Sequence, residues 1–585
     1  MRLEDYWGVG PKTAALLREE LGDEAAIEAI ESVDGRTLAD AGLARGRATR
    51  ILRRAAGGEG LDLLATRDAR AVYRDLVDLM EEYAVTDHAA DRVRVLTPLA
   101  SDERVVARLD RTERAVESWT ELDESTRTAV LAAFEEHDST GGEADAVETA
   151  LALLDTGVSG GVFSPLADLD RDRLAEAATA LRALPDADGR VGEGADDRLD
   201  ALRESLGAVE DLRADAAGVA EAVRESARDA SEFRDALLSH VTRETGVEAE
   251  LVRETMPGEA RAADTFVTES LRALAAGLRE QVDEREHEVR ERLADAVEVG
   301  REDVDRAVEV VDELAFELSL ARFAVAFDLT RPELVDEEGV LAVRGARNLE
   351  LEDRGESVQP IEYGLGNHSL DIEAPRGDRV AVLTGANSGG KTTLLETLAG
   401  VALLAHMGLP VPAERAQVSL VDRLVFHRRH ASFNAGVLES TLRSVVPPVT
   451  EQGRTLLLVD EFEAITEPGS AANLLHGLLT LAVERDALGV FVTHLAEDLE
   501  PLPDTARTDG IFAEGLTQGL ELEVDYQPRF GTLGRSTPEF IVSRLVAESR
   551  DASERAGFEV LARAVGQEAV QRTLADARWS GSESG

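Results

Sequence analysis

Residues 380–395 read VAVLTGANSGGKTTLL, a β-branched run that breaks into a glycine loop and then into the apolar start of a helix. A unit of this kind turns backbone N–H groups toward the phosphates of a nucleotide. Gly385, Ala386, Asn387, Ser388, Gly389 and Gly390 make the loop, Lys391 reaches the β- and γ-phosphate oxygens, and the Thr392 hydroxyl, next to Thr393, can ligate Mg²⁺. Further on, TLLLVD at 455–460 is a buried-strand pattern that ends in Asp460 and is followed by Glu461. One carboxylate suits the metal and the other an attacking water. A second apolar strand, GVFVTH at 489–494, ends in His494, in the place of a γ-phosphate sensor. The chemistry open to these residues is hydrolysis of a nucleoside triphosphate. ATP and Mg²⁺ are the expected cofactors, Glu461 and His494 the catalytic pair, and Thr392 and Asp460 the metal ligands.

Taken in this order, TGANSGGKTT, LLLVDEFEAITEPGSAA and VFVTHL resemble the MutS family of DNA-repair ATPases over about residues 340–550. The intervening MGLPVPAERAQVSLVDRLVF resembles the family's stretch there, and the turn at 466–468 is similar to that of the archaeal MutS-two-type subfamily, which lacks a mismatch-reading domain. The resemblance implies a MutS-type ABC ATPase domain at 336–550, a helical dimerisation tail at 551–585, adenine contacts from 366–372, and a homodimer in which each subunit covers the other's nucleotide. The family's serine-rich signature for that second subunit is shortened here to 431–439, leaving Ser432 and Asn434 as candidates. Glu463 and Ile465 stand where the family has glycines.

The elements that must position this chemistry come from a chain of 585 residues, enough for several domains. It has no cysteine, which excludes disulfides and thiolate metal sites. The opening MRLEDYWGVG is not of signal type, and no apolar run approaches the roughly 18 residues of a membrane span, so a soluble, cytoplasmic protein is expected. The formal charge of −53 with 4% aromatic residues resembles proteins of salt-loving archaea. At molar salt the Debye length is about 3 Å, so local groups decide what binds. Of 63 basic residues only Lys12 and Lys391 are lysines.

Lys12 belongs to GVGPKTAALL at 8–17, a glycine turn followed by proline at a helix start, which resembles a helix-hairpin-helix motif. Such hairpins offer backbone N–H groups to a DNA phosphate. Gly8, Gly10, Lys12 and Thr13 are the expected DNA-binding residues, joined by Arg45, Arg47 and Arg50 of a second copy, AGLARGRATRILRR at 41–54. Residues 1–57 therefore form the hairpin domain, 61–180 a helical core, and 181–335 lever-like helices. The lever rests on an apolar stripe from Leu271 through Leu278, Val289, Gly300 and Val311 to Leu318, which spans about 70 Å if continuous.

The expected architecture is thus multidomain α and α/β: an N-terminal helix-hairpin-helix, an all-helical core with long lever helices, and a C-terminal ABC-type P-loop ATPase. Its expected function is non-sequence-specific DNA binding coupled to ATP hydrolysis, in repair or recombination control. Mismatch reading is not expected: the Phe-x-Glu matches, at 134–136 and 512–514, lie outside the N-terminal region where that wedge belongs. An SMC- or RecN-like ATPase of chromosome organisation would need a coiled coil of hundreds of residues, and an ABC transporter subunit gives residues 1–330 no purpose. A DNA-binding scaffold with a vestigial nucleotide site is separated from the enzyme by ATP turnover at high salt.

Overall fold

The computed structural model describes residues 3, 6, 9–31, 34–55, 58–137, 142–184, 190–227, 229–258, 262–336, 339–385, 390–429, 435–465, 468–516, 522–534, 538–549, 551–565 and 570. They divide into two compact units, one of residues 1–127, 160–162 and 312–585, the other of 128–159 and 163–311.

The first unit is built on two sheets. Its strands are β1 (Glu333–Leu334), β2 (Leu341–Ala346), β3 (Ile361–Leu365), β4 (Val380–Gly385), β5 (Arg415–Val418), β6 (Arg423–His427), β7 (Thr455–Asp460), β8 (Leu488–Val492), β9 (Ala506–Leu516) and β10 (Leu522–Phe530). The larger sheet runs β10-β9-β4-β8-β7-β6, parallel from β9 to β6 with β10 antiparallel at one edge. The smaller runs β1-β5-β2-β3. β4, β7 and β8 are buried along their whole length, as expected of parallel strands covered on both faces. Alternate residues serve opposite faces. Ala381, Leu383, Leu456, Leu458, Val490 and Val492 join one core with the helices Lys391–His406 and Arg67–Glu81, while Val380, Val382, Leu457, Val459 and Phe491 join the other with the helix Pro468–Glu484.

The β6 edge is closed by an early part of the chain. Leu64 bridges Leu424 in parallel, and the Thr66 hydroxyl donates to Phe426 O at 2.6 Å and accepts from Phe426 N at 3.1 Å. Thr66 also caps the helix Arg67–Glu81. Residues 63–96, grouped in the sequence with the helical core, thereby share an apolar core with the large sheet. The N-terminal helices Pro11–Glu20 and Arg45–Ala55 repeat one pattern: buried Val9, Ala14 and Leu17 return at the same offsets as Leu43, Ala48 and Ile51. The second helix is docked through Arg53, whose Nε donates to Arg94 O at 2.8 Å.

The second unit is helical in its described residues. Its longest helix, Ala263–Val299, has 37 residues and a length of about 55 Å. The stripe does not run on as one rod of 70 Å: the helix ends at Gly300, with φ −92 and ψ 3, and a separate helix of 26 residues, Arg301–Ala326, follows, of which residues 312–326 belong to the first unit. The stripe residues on both sides of the break are buried, including Leu271, Leu278, Val289, Val304, Val311 and Leu318. Apolar burial is indifferent to a one-residue interruption that keeps the same face inward. Arg285 and Arg292 both reach the Asp196 carboxylate, which caps the helix Asp197–Ala214.

Candidate functional site

The ends of β4, β7 and β8 bring the chemistry together. Val492 of β8 is in register with both Leu383 and Asp460, so the phosphate loop and the acidic pair flank one strand end, about 10 Å apart across two strand spacings. This is the carboxyl edge of a parallel sheet, where such folds bind ligands. Residues Ala386, Asn387, Ser388 and Gly389 lie outside the described residues. At their borders, Gly385 has φ 132 and a Cβ there would meet Ile511 O at 2.2 Å, while Gly390 has φ 70 and caps the helix Lys391–His406. Both positions exclude a side chain.

Lys391 is 5% exposed and its Nζ donates to Gly385 O at 2.9 Å, bracing the two ends of the loop. Burial pulls its pKa down, against the pull of Glu461, Asp460 and Glu463. The Thr392 hydroxyl donates to Asp460 Oδ2 at 2.7 Å, and the buried Asp460 Oδ1 has no partner. That orphaned acceptor beside a threonine hydroxyl suits a divalent cation. Among the described residues no group of three His, Asp or Glu could hold a metal ion.

Glu461 is 8% exposed with φ 42, an uncommon conformation for a non-glycine residue. Its N–H bonds Val492 O at 3.0 Å, and its two oxygens are held separately: Oε1 by His494 Nε2 at 3.0 Å and Oε2 by Arg429 Nη1 at 2.6 Å. The hydrogen bond from His494, aided by the charge of Arg429, holds the Glu461 carboxyl below its ordinary value despite burial. Burial pushes Asp460 the other way. Glu463 accepts the backbone N–H of His494 at 2.6 Å and so helps to seat the segment that carries the histidine. Ser432 and Asn434 lie outside the described residues.

Arg429 escaped the sequence reading, although its place just after the apolar strand LVFH put it at this same edge. A cavity of about 310 Å³ beside the loop was also missed; Asn348, Gln359, Ile361, Gly390, Thr393 and Tyr526 line it. The expected adenine segment, 366–372, lies beyond the end of β3 opposite Ile361, with His368 buried and Ser369 N bonded to Gln417 Oε1.

Beneath β4 lies a buried polar cluster that joins the two sheets. Arg507 Nε donates to both Asp509 oxygens at 3.0 Å and its Nη2 to Gly364 O at 2.7 Å, while the Tyr363 hydroxyl donates to Asp509 Oδ2 at 2.9 Å. The Thr384 hydroxyl, next to the loop, donates to Asp509 O at 3.0 Å and accepts from Gly534 N at 2.7 Å. Burial and the Asp509 charge raise the Tyr363 phenol well above its ordinary pKa, keeping it a donor.

Of the expected DNA-binding residues, Lys12, Arg45, Arg47 and Arg50 are exposed on the two N-terminal helices, and Gly10 caps the first. Gly8 lies outside the described residues. Thr13 departs from expectation: at 2% exposure it lies on the inward face with Ala14 and Leu17, so its hydroxyl does not reach the surface. Neither Phe-x-Glu phenylalanine is an exposed wedge, since Phe134 is fully buried and Phe512 is stacked under Arg529 at 4.8 Å.

Residues 381–500 match the family model of MutS domain V. The chain is 41% identical over 267 residues to the DNA-binding protein MutS2 of Pyrococcus furiosus, covering 46% of this chain and 45% of that one. It is 30% identical over 247 residues to the Endonuclease MutS2 of Thermomicrobium roseum, covering 41% and 29%. To the DNA mismatch repair protein MutS of Halothermothrix orenii it is 26% identical over 245 residues, covering 40% and 26%. The matches thus span less than half the length of each of these relatives. The domain V match lies on the stretch that carries Lys391, Asp460, Glu461 and His494, so this part of the chain is of the MutS family and similar to MutS2.

Proposed function

We propose that this chain hydrolyses ATP and binds DNA through backbone contacts, without reading mismatches, in DNA repair or recombination control. The observation that carries the reading is the pairing of Thr392 with an Asp460 whose second oxygen is orphaned, next to a Glu461 held by His494. Thr392 and Asp460 would hold Mg²⁺, which would neutralise phosphate charge. Lys391 and the loop N–H groups bind the phosphates. The cavity beside Gly390 takes the base, with the Tyr526 ring as a stacking surface. Glu461, ionised and aimed by His494, orients the attacking water and accepts its proton.

Lys12, Arg45, Arg47 and Arg50 contact duplex phosphates from the paired hairpins, a mode that positions a protein without reading bases. The long helices of the second unit form a lever. A homodimer is favoured by the tail, where Ile541, Val560 and Leu561 are 53%, 58% and 49% exposed on the helices Pro538–Glu548 and Ala552–Val565. Phosphate release measured against protein concentration, with light scattering in ATP and Mg²⁺, tests the reading. Turnover abolished by Lys391→Ala and a mass that doubles with ATP are expected; a monomer with concentration-independent turnover, or no turnover at high salt, overturns it.

A further inference from the structure

A cavity of about 180 Å³ in the first unit is walled by residues 92–97, by the helix Asp102–Glu121 and by the 313–320 part of the helix Arg301–Ala326. That volume is an order of magnitude above the roughly 10–15 Å³ that one water requires. Arg92, Arg108, Arg111 and Thr112 line it from the first two elements, Glu313 and Glu317 from the third. In a chain of formal charge −53, three guanidinium groups at one cavity are a local reversal of sign.

The charges do not cancel pairwise. Glu313 takes Arg92 at 2.7 Å, and that guanidinium also lies 4.3 Å from the centre of the Phe316 ring. Among the described residues, neither Arg108 nor Arg111 is paired with a carboxylate. Arg108 spends one N–H on Met407 O at 2.9 Å. Burial, with Arg111, Arg104 and Arg92 adding repulsion, pushes Arg108 down to about 10, so it remains charged at neutral pH without a counter-ion. Among the described residues Glu317 forms no ion pair, and burial and Glu313 raise its pKa against the pull of Arg111, Arg114 and Arg92.

An independent observation points into the same space. Thr112 is 2% exposed and its hydroxyl has no hydrogen-bond partner. Buried hydroxyls are rarely left so. We propose that this cavity binds an oxyanion of phosphate size, held by Arg108 and Arg111 with the Thr112 hydroxyl as a further donor. The site is distinct from the phosphate loop. Through Met407 O, Arg108 is fastened to the C-terminal end of the helix Lys391–His406, whose 16 residues put Lys391 about 24 Å away. The ligand is either free inorganic phosphate or the terminal phosphate of a nucleic-acid strand.

Calorimetric titration of inorganic phosphate into the full-length Lys391→Ala chain, which lacks the loop lysine, tests the proposal. One remaining site is expected. Arg111→Gln, at an exposed position that folding tolerates, should weaken it about tenfold or more. Thr112→Val, which preserves volume, should weaken it roughly threefold. Competition by a 5′-phosphorylated oligonucleotide, but not by its unphosphorylated twin, would identify a strand end as the source; no competition by either would identify the free ion. Absence of phosphate binding in the Lys391→Ala chain, or affinity unchanged by both Arg111→Gln and Thr112→Val, overturns the proposal.

Discussion

Replacing Glu461 by glutamine separates chemistry from folding, because little else at this position depends on the charge. Glutamine keeps the length of the side chain and a carbonyl oxygen that can accept from His494 Nε2, 3.0 Å away in the parent. Arg429 loses its partner, but its side chain is 57% exposed, so water takes over and the stability lost is at most about 1 kcal/mol. Lys391, Thr392 and Asp460 are untouched, so nucleotide binding should persist. Turnover should not. A positioned general base contributes about 10²- to 10⁴-fold, or about 2.7–5.4 kcal/mol at 1.36 kcal/mol per tenfold. Phosphate release under single-turnover conditions, with a fluorescent ATP analogue to follow binding and urea unfolding to follow stability, measures the three quantities together. Unchanged hydrolysis would remove Glu461 from its role. Loss of binding in step with hydrolysis would make it a ligand of the nucleotide instead.

Asp509→Asn should destabilise the first unit by about 3–5 kcal/mol in urea, because Arg507, 6% exposed, loses the carboxylate that both its Nε contacts use; Tyr363→Phe should cost only about 0.5–1.5 kcal/mol, and equal unfolding midpoints for the two would refute this ranking. Arg285 beside Asp196 holds that carboxyl well below its ordinary 3.8, so the pair's stabilisation is complete above that pH and fades as pH falls further. The gap in melting temperature between the parent chain and Asp196→Asn should therefore stay constant from neutral pH to about pH 4 and narrow only below it, and a gap that closes already above pH 4 would count against it. Deleting residues 1–56, or changing Lys12, Arg45, Arg47 and Arg50 to glutamate, should weaken matched and mismatched duplexes alike in filter binding; strong mismatch preference or full affinity without the segment would overturn the hairpin reading.

The strands that carry the site were legible because each is an unbroken apolar run ending in a residue with chemistry: Gly385, Asp460, His494. Their adjacency followed from a parallel sheet. Less local features were hidden. Nothing near Thr66 announces that it bonds Phe426, 360 positions away, so the edge cover was read as part of a separate helical core. The stripe through Gly300 reads either as one helix or as a pair broken near Gly300, because a break that preserves the buried face leaves the periodicity intact. The alternation Arg507, Asp509 on β9 has the look of a solvent face; its burial depends on Tyr363 and Gly364 from another sheet. The cavity beside Gly390 takes its walls from Asn348, Ile361 and Tyr526, three separate segments.

The hold on Glu461 is unequal, and that inequality bears on how the site is set for reaction. The backbone of His494 is held by Glu463, which accepts its N–H, and the ring bonds Oε1 at 3.0 Å. Arg429 is different: it is a half-exposed arginine that reaches Oε2 from two residues beyond β6. Glu461 is buried in this pair, but the exposed Arg429 can exchange its contact for water at a cost of about 1 kcal/mol. The histidine contact, by contrast, is backed by a second hydrogen bond and by the left-handed backbone that turns Glu461 toward it. Releasing Arg429 therefore frees one carboxylate oxygen for water while His494 keeps the other oriented. In that division of roles the glutamate in the glycine's place is a positioning residue for His494, so Glu463→Gly should lower kcat more than it raises KM.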